Sequence, residues 1–147
     1  MSKFNLTREA YPHFQPIQTR WMDNDIYGHV NNVVYYSYFD TVVNGFLIEE
    51  GQLNIHGGNH IGLVVETKCN YFSPLAFPDA IDAGLRVTKI GTTSVRYEVG
   101  LFKQGEPEAA AEGHFIHVYV DKQSHKPKAI SDDFKAALLK IYVKETT

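Results

Sequence analysis

Residues able to do acid–base chemistry crowd into the short stretch from Thr19 to Asn32, with sequence TRWMDNDIYGHVNN. It holds two carboxylates and a histidine, and it ends in a pair of amides. A helical pattern begins directly after it, and Asn31 is placed to act as the helix N-cap. The free N–H groups and the positive dipole end of that helix would then face the loop. This arrangement suits a reaction whose transition state puts negative charge on an oxygen.

The segments on either side of this loop must position it. Phe14 to Met22 reads as a strand, and Pro16 indicates a sheet edge or a bulge. From Asn32 the apolar residues recur at helical spacing, which predicts a long helix with Gly51 as its C-cap. The buried face of this helix is expected to comprise Tyr35, Tyr38, Phe39, Val42 and Phe46.

The rest of the chain predicts four strands and a short helix. The strands run over Leu63–Phe72, Ile81–Thr88, Thr93–Leu101 and about Ala109–Val120, each with alternating side chains. The connections are short, which favours antiparallel neighbours. Ser131 is the expected N-cap of the terminal helix. Only the long helix can cover one face of this sheet, so the fold class is α+β.

The string DNDIYGHVNN followed by YYSYFD resembles the signature of the hot-dog-fold acyl-CoA thioesterases, specifically the 4-hydroxybenzoyl-CoA thioesterase-like family. The resemblance spans nearly the whole chain. It implies one hot-dog domain over residues 1–147, an antiparallel sheet wrapped around one long central helix in the order β-α-β-β-β-β, with a short C-terminal helix. It also implies hydrolysis of a coenzyme A thioester to free acid and CoA, with no cofactor and no metal.

The resemblance assigns catalytic roles to three loop residues. Asp25 corresponds to the aspartate that acts as nucleophile or general base, and the backbone N–H of Asn32 to the group that polarises the thioester carbonyl. His29 would position the thioester or Asp25, and a purely structural role for it is equally open. The alternative for Asp25 is a turn-forming aspartate that binds its own backbone. Asp23 is expected to support the loop.

Substrate contacts are expected from a further set of residues, namely Gly28, Asn31, Tyr35, Ser94 and Arg96. Two other interpretations of the chain stay open. One is another hot-dog chemistry, such as acyl-ACP hydrolysis, and the other is an acyl-CoA binding domain without turnover. The sequence argues against a calcium loop of the EF-hand type, because Tyr27 occupies the usual third ligand position and Val34 stands where the bidentate glutamate belongs.

Composition and charge limit the binding partners and the location that we expect for the protein. A net charge of -3 argues against a general nucleic-acid or anionic-membrane binder. The one cysteine rules out an intrachain disulfide and favours a cytoplasmic location. No stretch approaches the roughly 20 apolar residues of a membrane span. An exposed sheet edge around Leu63–Phe72 predicts a homodimer or homotetramer.

Overall fold

A computed structural model of the chain describes residues 7–52 and 60–144. The strands are β1 (His13–Gln18), β2 (His60–Tyr71), β3 (Ala80–Ile90), β4 (Ser94–Lys103) and β5 (Ala111–Asp121), and the helices are α1 (Val34–Glu49) and α2 (Asp132–Leu139). The five strands form one antiparallel sheet in the order β1-β3-β4-β5-β2. This is the predicted α+β layout, with one long helix against the sheet and a short helix at the end.

The core lies between α1 and the inner face of the sheet. All five predicted aromatic and aliphatic positions of α1 are buried, together with Val43 and Leu47. Tyrosine, valine and phenylalanine are only moderate helix formers, so this burial is what stabilises α1. Neither α1 nor α2 has the length and apolar character needed to cross a membrane.

The strand predicted over 14–22 is shorter in the structure and ends at Gln18. The backbone N–H of Thr19 donates to the carbonyl oxygen of Asp79 at 3.3 Å. This hydrogen bond holds the chain beside the first residue of β3. A 3₁₀ turn over Trp21–Asp23 follows, so these residues belong to the loop. The loop is therefore attached at the end of the sheet where β3 begins.

Short connections predict that successive strands are antiparallel neighbours, and for β2 and β3 this prediction is wrong. β2 pairs with β5, from His60 opposite Asp121 to Tyr71 opposite Ala111. The connection over residues 72–79 is long enough to cross the end of the sheet, and it buries Leu75 completely on the way. This crossing puts β2 at one edge, where Leu63, Val64 and Val65 are all exposed.

Candidate active site

The loop between β1 and α1 closes on itself through backbone hydrogen bonds. The N–H of Asp25 donates to the carbonyl oxygen of His29 at 2.9 Å, and the N–H of Gly28 donates to that of Asp25 at 3.1 Å. Gly28 has a φ of +80°, a left-handed conformation that glycine adopts without strain. The loop tip is therefore a tight turn that brings Asp25 and His29 together at its base.

Asp23 anchors the loop to the protein core. Its side chain is 1% exposed and accepts hydrogen bonds from the Tyr38 hydroxyl at 2.7 Å and the Arg20 guanidinium at 2.8 Å. Burial by itself would raise the pKa of Asp23, but the hydrogen bonds from Tyr38 and Arg20 outweigh it and lower the pKa below its ordinary value. Asp23 is thus an ionised, fully engaged carboxylate that holds the loop against α1.

Asp25 has a different environment. One of its carboxylate oxygens, Oδ1, accepts the backbone N–H of Tyr27 at 2.8 Å, which is the turn-forming contact typical of aspartate. The other oxygen has no partner in residues 7–52 and 60–144. Asp25 also lines an open hollow of about 550 Å³. The lining residues are Trp21, Met22, Asn24, Asp25, Ile26 and Gly28. One oxygen is therefore available to a water molecule or a ligand.

The start of α1 differs from the sequence-based expectation. α1 begins at Val34, and Asn31 is not its N-cap, since the Asn31 side chain accepts from the N–H of Val33 at 3.1 Å. The reason is an extra turn over residues 31–33, whose carbonyl groups accept the first N–H groups of the helix. The N–H of Asn32 has no acceptor within the described ranges. Asn32 therefore supplies the free donor at this helix start.

A second hollow, of about 290 Å³, lies on the side of the loop where Asn32 is found. Its lining residues are His29, Val30, Asn32, Tyr35, Tyr71, Phe72, Ser73 and Pro74. The Tyr71 hydroxyl donates to the carbonyl oxygen of Asn32 at 3.1 Å, and its ring packs edge-on against Tyr35 at 4.8 Å. Tyr71 was not among the residues expected at the site, although the NYFSP string around it resembles the family. Its position depends on the crossing connection that brings the end of β2 to the start of α1.

The structure gathers some of the predicted site residues and separates others. His29, Asn32 and Tyr35 share the smaller hollow, whereas Asp25 and Gly28 line the larger one. Within one chain, the Asp25 carboxylate and the Asn32 amide thus line different hollows of the same loop. No cluster of three or more metal-ligating side chains occurs in the part of the chain that the structure describes.

Ser94 and Arg96 lie far from the loop in the same chain. The loop attaches beside Asp79, which pairs with Lys103 at the last position of β4, whereas Ser94 is the first. The ten residues of β4 separate these ends by about 30 Å at the usual rise per residue. Arg96 is also engaged, since its Nε donates to Glu98 at 2.8 Å. A single chain therefore does not bring Ser94 and Arg96 to Asp25 or Asn32.

Known protein structures share the fold of this chain. The PA5185 protein of Pseudomonas aeruginosa is 55% identical, covers 94% of this chain and 96% of its own, and superposes with a TM-score of 0.91. The PA2801 protein of the same organism is 27% identical over 87% of this chain and 98% of its own, with a TM-score of 0.80. Slr0204, a 1,4-dihydroxy-2-naphthoyl-CoA thioesterase from Synechocystis, is only 15% identical, yet it shares the fold over 86% of this chain and 94% of its own (TM-score 0.78).

A family match also covers most of the chain. Residues 19–138 match the thioesterase-like superfamily. This match begins at the first residue of the loop and includes α1, all of β2 to β5 and most of α2. The chain is therefore a hot-dog-fold member of the thioesterase-like superfamily, whose chemistry is thioester hydrolysis.

Proposed function

We propose that the protein is an acyl-CoA thioesterase in which Asp25 is the nucleophile or general base and the Asn32 N–H is the oxyanion donor. The observation that carries the proposal is that one short loop holds both a carboxylate with a free oxygen and a backbone N–H without an acceptor in the described residues. Both groups are unsatisfied by the described part of the chain, and both are the types that acyl transfer requires. Membership of the thioesterase-like superfamily indicates that the substrate is a thioester.

The reaction balances in either of two ways. As a base, Asp25 takes a proton from water while the water oxygen attacks the carbonyl carbon, and the collapsing intermediate expels the thiolate, which regains the proton. As a nucleophile, the Asp25 carboxylate forms a mixed anhydride and releases the thiolate, and water then cleaves the anhydride. In both routes negative charge develops on the carbonyl oxygen, and the Asn32 N–H would stabilise it.

A second copy of the chain would complete the site. Ile26 and Tyr27 at the loop tip are exposed, as is the apolar edge of β2. An exposed apolar edge favours antiparallel pairing with another strand, here β2 of a second copy. Such pairing would set the partner's His60 end beside this chain's Tyr71 end. We propose that Ser94 and Arg96 of the second copy then approach this loop and contact the substrate.

Coenzyme A is the proposed carrier, because its distant nucleotide supplies binding energy that helps to position the thioester. Its phosphates would need local cations on a chain of net charge -3. Arg96 of the second copy is one such cation. A cytoplasmic setting is part of the proposal, since coenzyme A thioesters are intracellular metabolites.

Thiol release over a panel of acyl-CoA, acyl-ACP and acyl-pantetheine thioesters tests this function. We expect turnover of acyl-CoA and a lower kcat/KM for the truncated pantetheine thioester with the same acyl group. Equal kcat/KM values for the full and truncated compounds would remove coenzyme A recognition from the account. Turnover of acyl-ACP alone would identify the acyl carrier protein, and not coenzyme A, as the carrier.

One observation favours an acyl-CoA binding domain without turnover as the second candidate. The Asp25 oxygen Oδ1 is used by the Tyr27 N–H, and Asp25 and Asn32 line separate hollows. A chain that binds acyl-CoA in calorimetry but releases no thiol would establish this alternative.

A further inference from the structure

A buried histidine on the inner face of the sheet has an unsatisfied nitrogen. His117 of β5 is 7% exposed, and its Nε2 is buried with no hydrogen-bond partner in the described residues. The only other such atom in that part of the chain is Nε2 of His13, at the opposite edge of the sheet. Most buried polar groups in proteins are paired, so an unpaired one suggests a missing partner.

The neighbours of His117 are compatible with a tautomer that carries the proton on Nε2. Tyr97 is fully buried, and its hydroxyl lies 2.8 Å from that of Tyr119 with no other partner in the described ranges. If Tyr97 donates to Tyr119, the Tyr119 hydroxyl can donate onward to Nδ1 of His117, 3.5 Å away. A neutral imidazole whose Nδ1 accepts carries its proton on Nε2. The unsatisfied atom is then an N–H donor in need of an acceptor.

A row of stacked rings connects this donor with the start of α1. Tyr36, in the first turn of α1, stacks on Phe115 with centroids 6.2 Å apart and an angle of 18°. Phe115 stacks on His117 at 5.6 Å and 25°. The row therefore leads from the helix start that carries the Asn32 N–H to the unpaired Nε2 of His117.

The inner face beside this row is open along β2. Val64 pairs with His117 and Thr67 with Phe115, so their side chains share one face of the sheet. Val64 is 47% exposed and Thr67 is also exposed, so α1 does not cover this strip. Gly62 leaves room for the cluster, because a Cβ there would lie 2.8 Å from the Tyr119 ring and 3.1 Å from His117 Nδ1.

We propose that His117 is a specificity residue whose N–H binds a hydroxyl or carbonyl oxygen on the distal part of the acyl group. The acyl chain would follow the ring row from the thioester at Asn32 to His117. A plain hydrocarbon chain leaves the donor unpaired, whereas an oxygenated chain satisfies it. The inference rests on the proposed thioesterase function and names its substrate class.

The test compares decanoyl-CoA with a series of decanoyl-CoA compounds in which one hydroxyl is moved along the chain. We expect the wild type to favour one hydroxylated compound in kcat/KM by about 10- to 100-fold, as a site built around one polar contact does. His117→Phe should lose this preference and still hydrolyse decanoyl-CoA. His117→Gln, which keeps an N–H donor, should retain part of the preference. Thermal melts of both variants show whether either substitution impairs folding.

His13→Phe is the matched control, because it removes the other unpaired buried imidazole and should leave the preference intact. Equal kcat/KM across the series in the wild type, or a preference that survives in His117→Phe, would overturn the proposal. If the wild type releases no thiol at all, the proposed thioesterase function is wrong. Calorimetric Kd values for the same compounds then test whether His117 recognises the hydroxyl group. A Kd preference lost in His117→Phe would support it, and equal Kd values would overturn it.

Discussion

Asp23 and Asp25 stand two positions apart in a loop and have opposite environments. Asp23 is buried and accepts from Tyr38 and Arg20, whereas Asp25 accepts one backbone N–H and keeps one oxygen open. A carboxylate that is fully engaged and held ionised is poorly suited to attack a substrate or to take a proton. The residue environments therefore favour Asp25 for chemistry and Asp23 for support.

Tyr71→Phe tests whether the Tyr71 hydroxyl positions the Asn32 peptide. Removing the hydrogen bond to the Asn32 carbonyl should lower kcat by about threefold to tenfold, the worth of about one neutral hydrogen bond, with little change in KM. Steady-state thiol release separates the two constants. Tyr142→Phe is the control, since Tyr71 and Tyr142 are both 42% exposed. A normal kcat in Tyr71→Phe would show that this contact does not position the amide.

Burial of His117 predicts a dependence of stability on pH. Burial lowers the pKa of His117 to about 4, below its unfolded value of about 6.5. As pH falls from 6.5 towards 4, the His117 imidazole becomes protonated in the unfolded chain but stays neutral in the native protein. The free energy of unfolding therefore decreases in this pH window. From pH 7 to pH 4.5, His117 alone should remove about 2–3 kcal/mol of unfolding free energy. Urea titrations should show this extra loss in the wild type but not in His117→Phe, and parallel profiles would refute it.

At the level of elements, local patterns predicted most of what the structure contains. The α1 face, the four later strands and the Ser131 cap of α2, which accepts the Phe134 N–H at 3.1 Å, are all confirmed. These features follow from periodicity and capping, which neighbouring residues determine. The Asn31 cap is wrong, because the extra turn before α1 depends on contacts with Asp23, whose carbonyl accepts the Asn31 N–H.

Contacts between distant segments could not be predicted from local patterns. The pairing of β2 with β5 depends on which strand edge a long connection reaches, and alternation carries no such information. The same limit applies to the site. The candidate residues of the loop are close in sequence and could be proposed from it, whereas Tyr71 reaches Asn32 from 39 positions away. His117 likewise lies far from the loop in sequence.

The whole molecule is proposed to be at least a dimer, joined through the exposed β2 edge. Light scattering at micromolar concentration should give a mass of at least twice 16.7 kDa. Val65→Lys puts a charge on the edge, which disfavours pairing, so it should shift the protein towards monomer and lower turnover together. Leu139→Lys, at an exposed position of α2, should do neither. An active wild-type monomer would remove the second copy from the site.

The proposed hydrolysis depends on the carboxylate of Asp25. The most direct measurement is thiol release by the wild type, Asp25→Asn and Asp23→Asn in one acyl-CoA assay, with thermal melts of all three. Asp25→Asn keeps the shape and the turn contact but loses the charge. Its kcat should fall by at least about 10²-fold, the lower end of what general base catalysis contributes, without loss of stability.

Asp23→Asn should retain much more of the activity and should melt at a lower temperature, because it weakens the anchor to Tyr38 and Arg20. The opposite result, with near-normal turnover by Asp25→Asn and none by Asp23→Asn, would contradict the account and assign the chemistry to the other carboxylate.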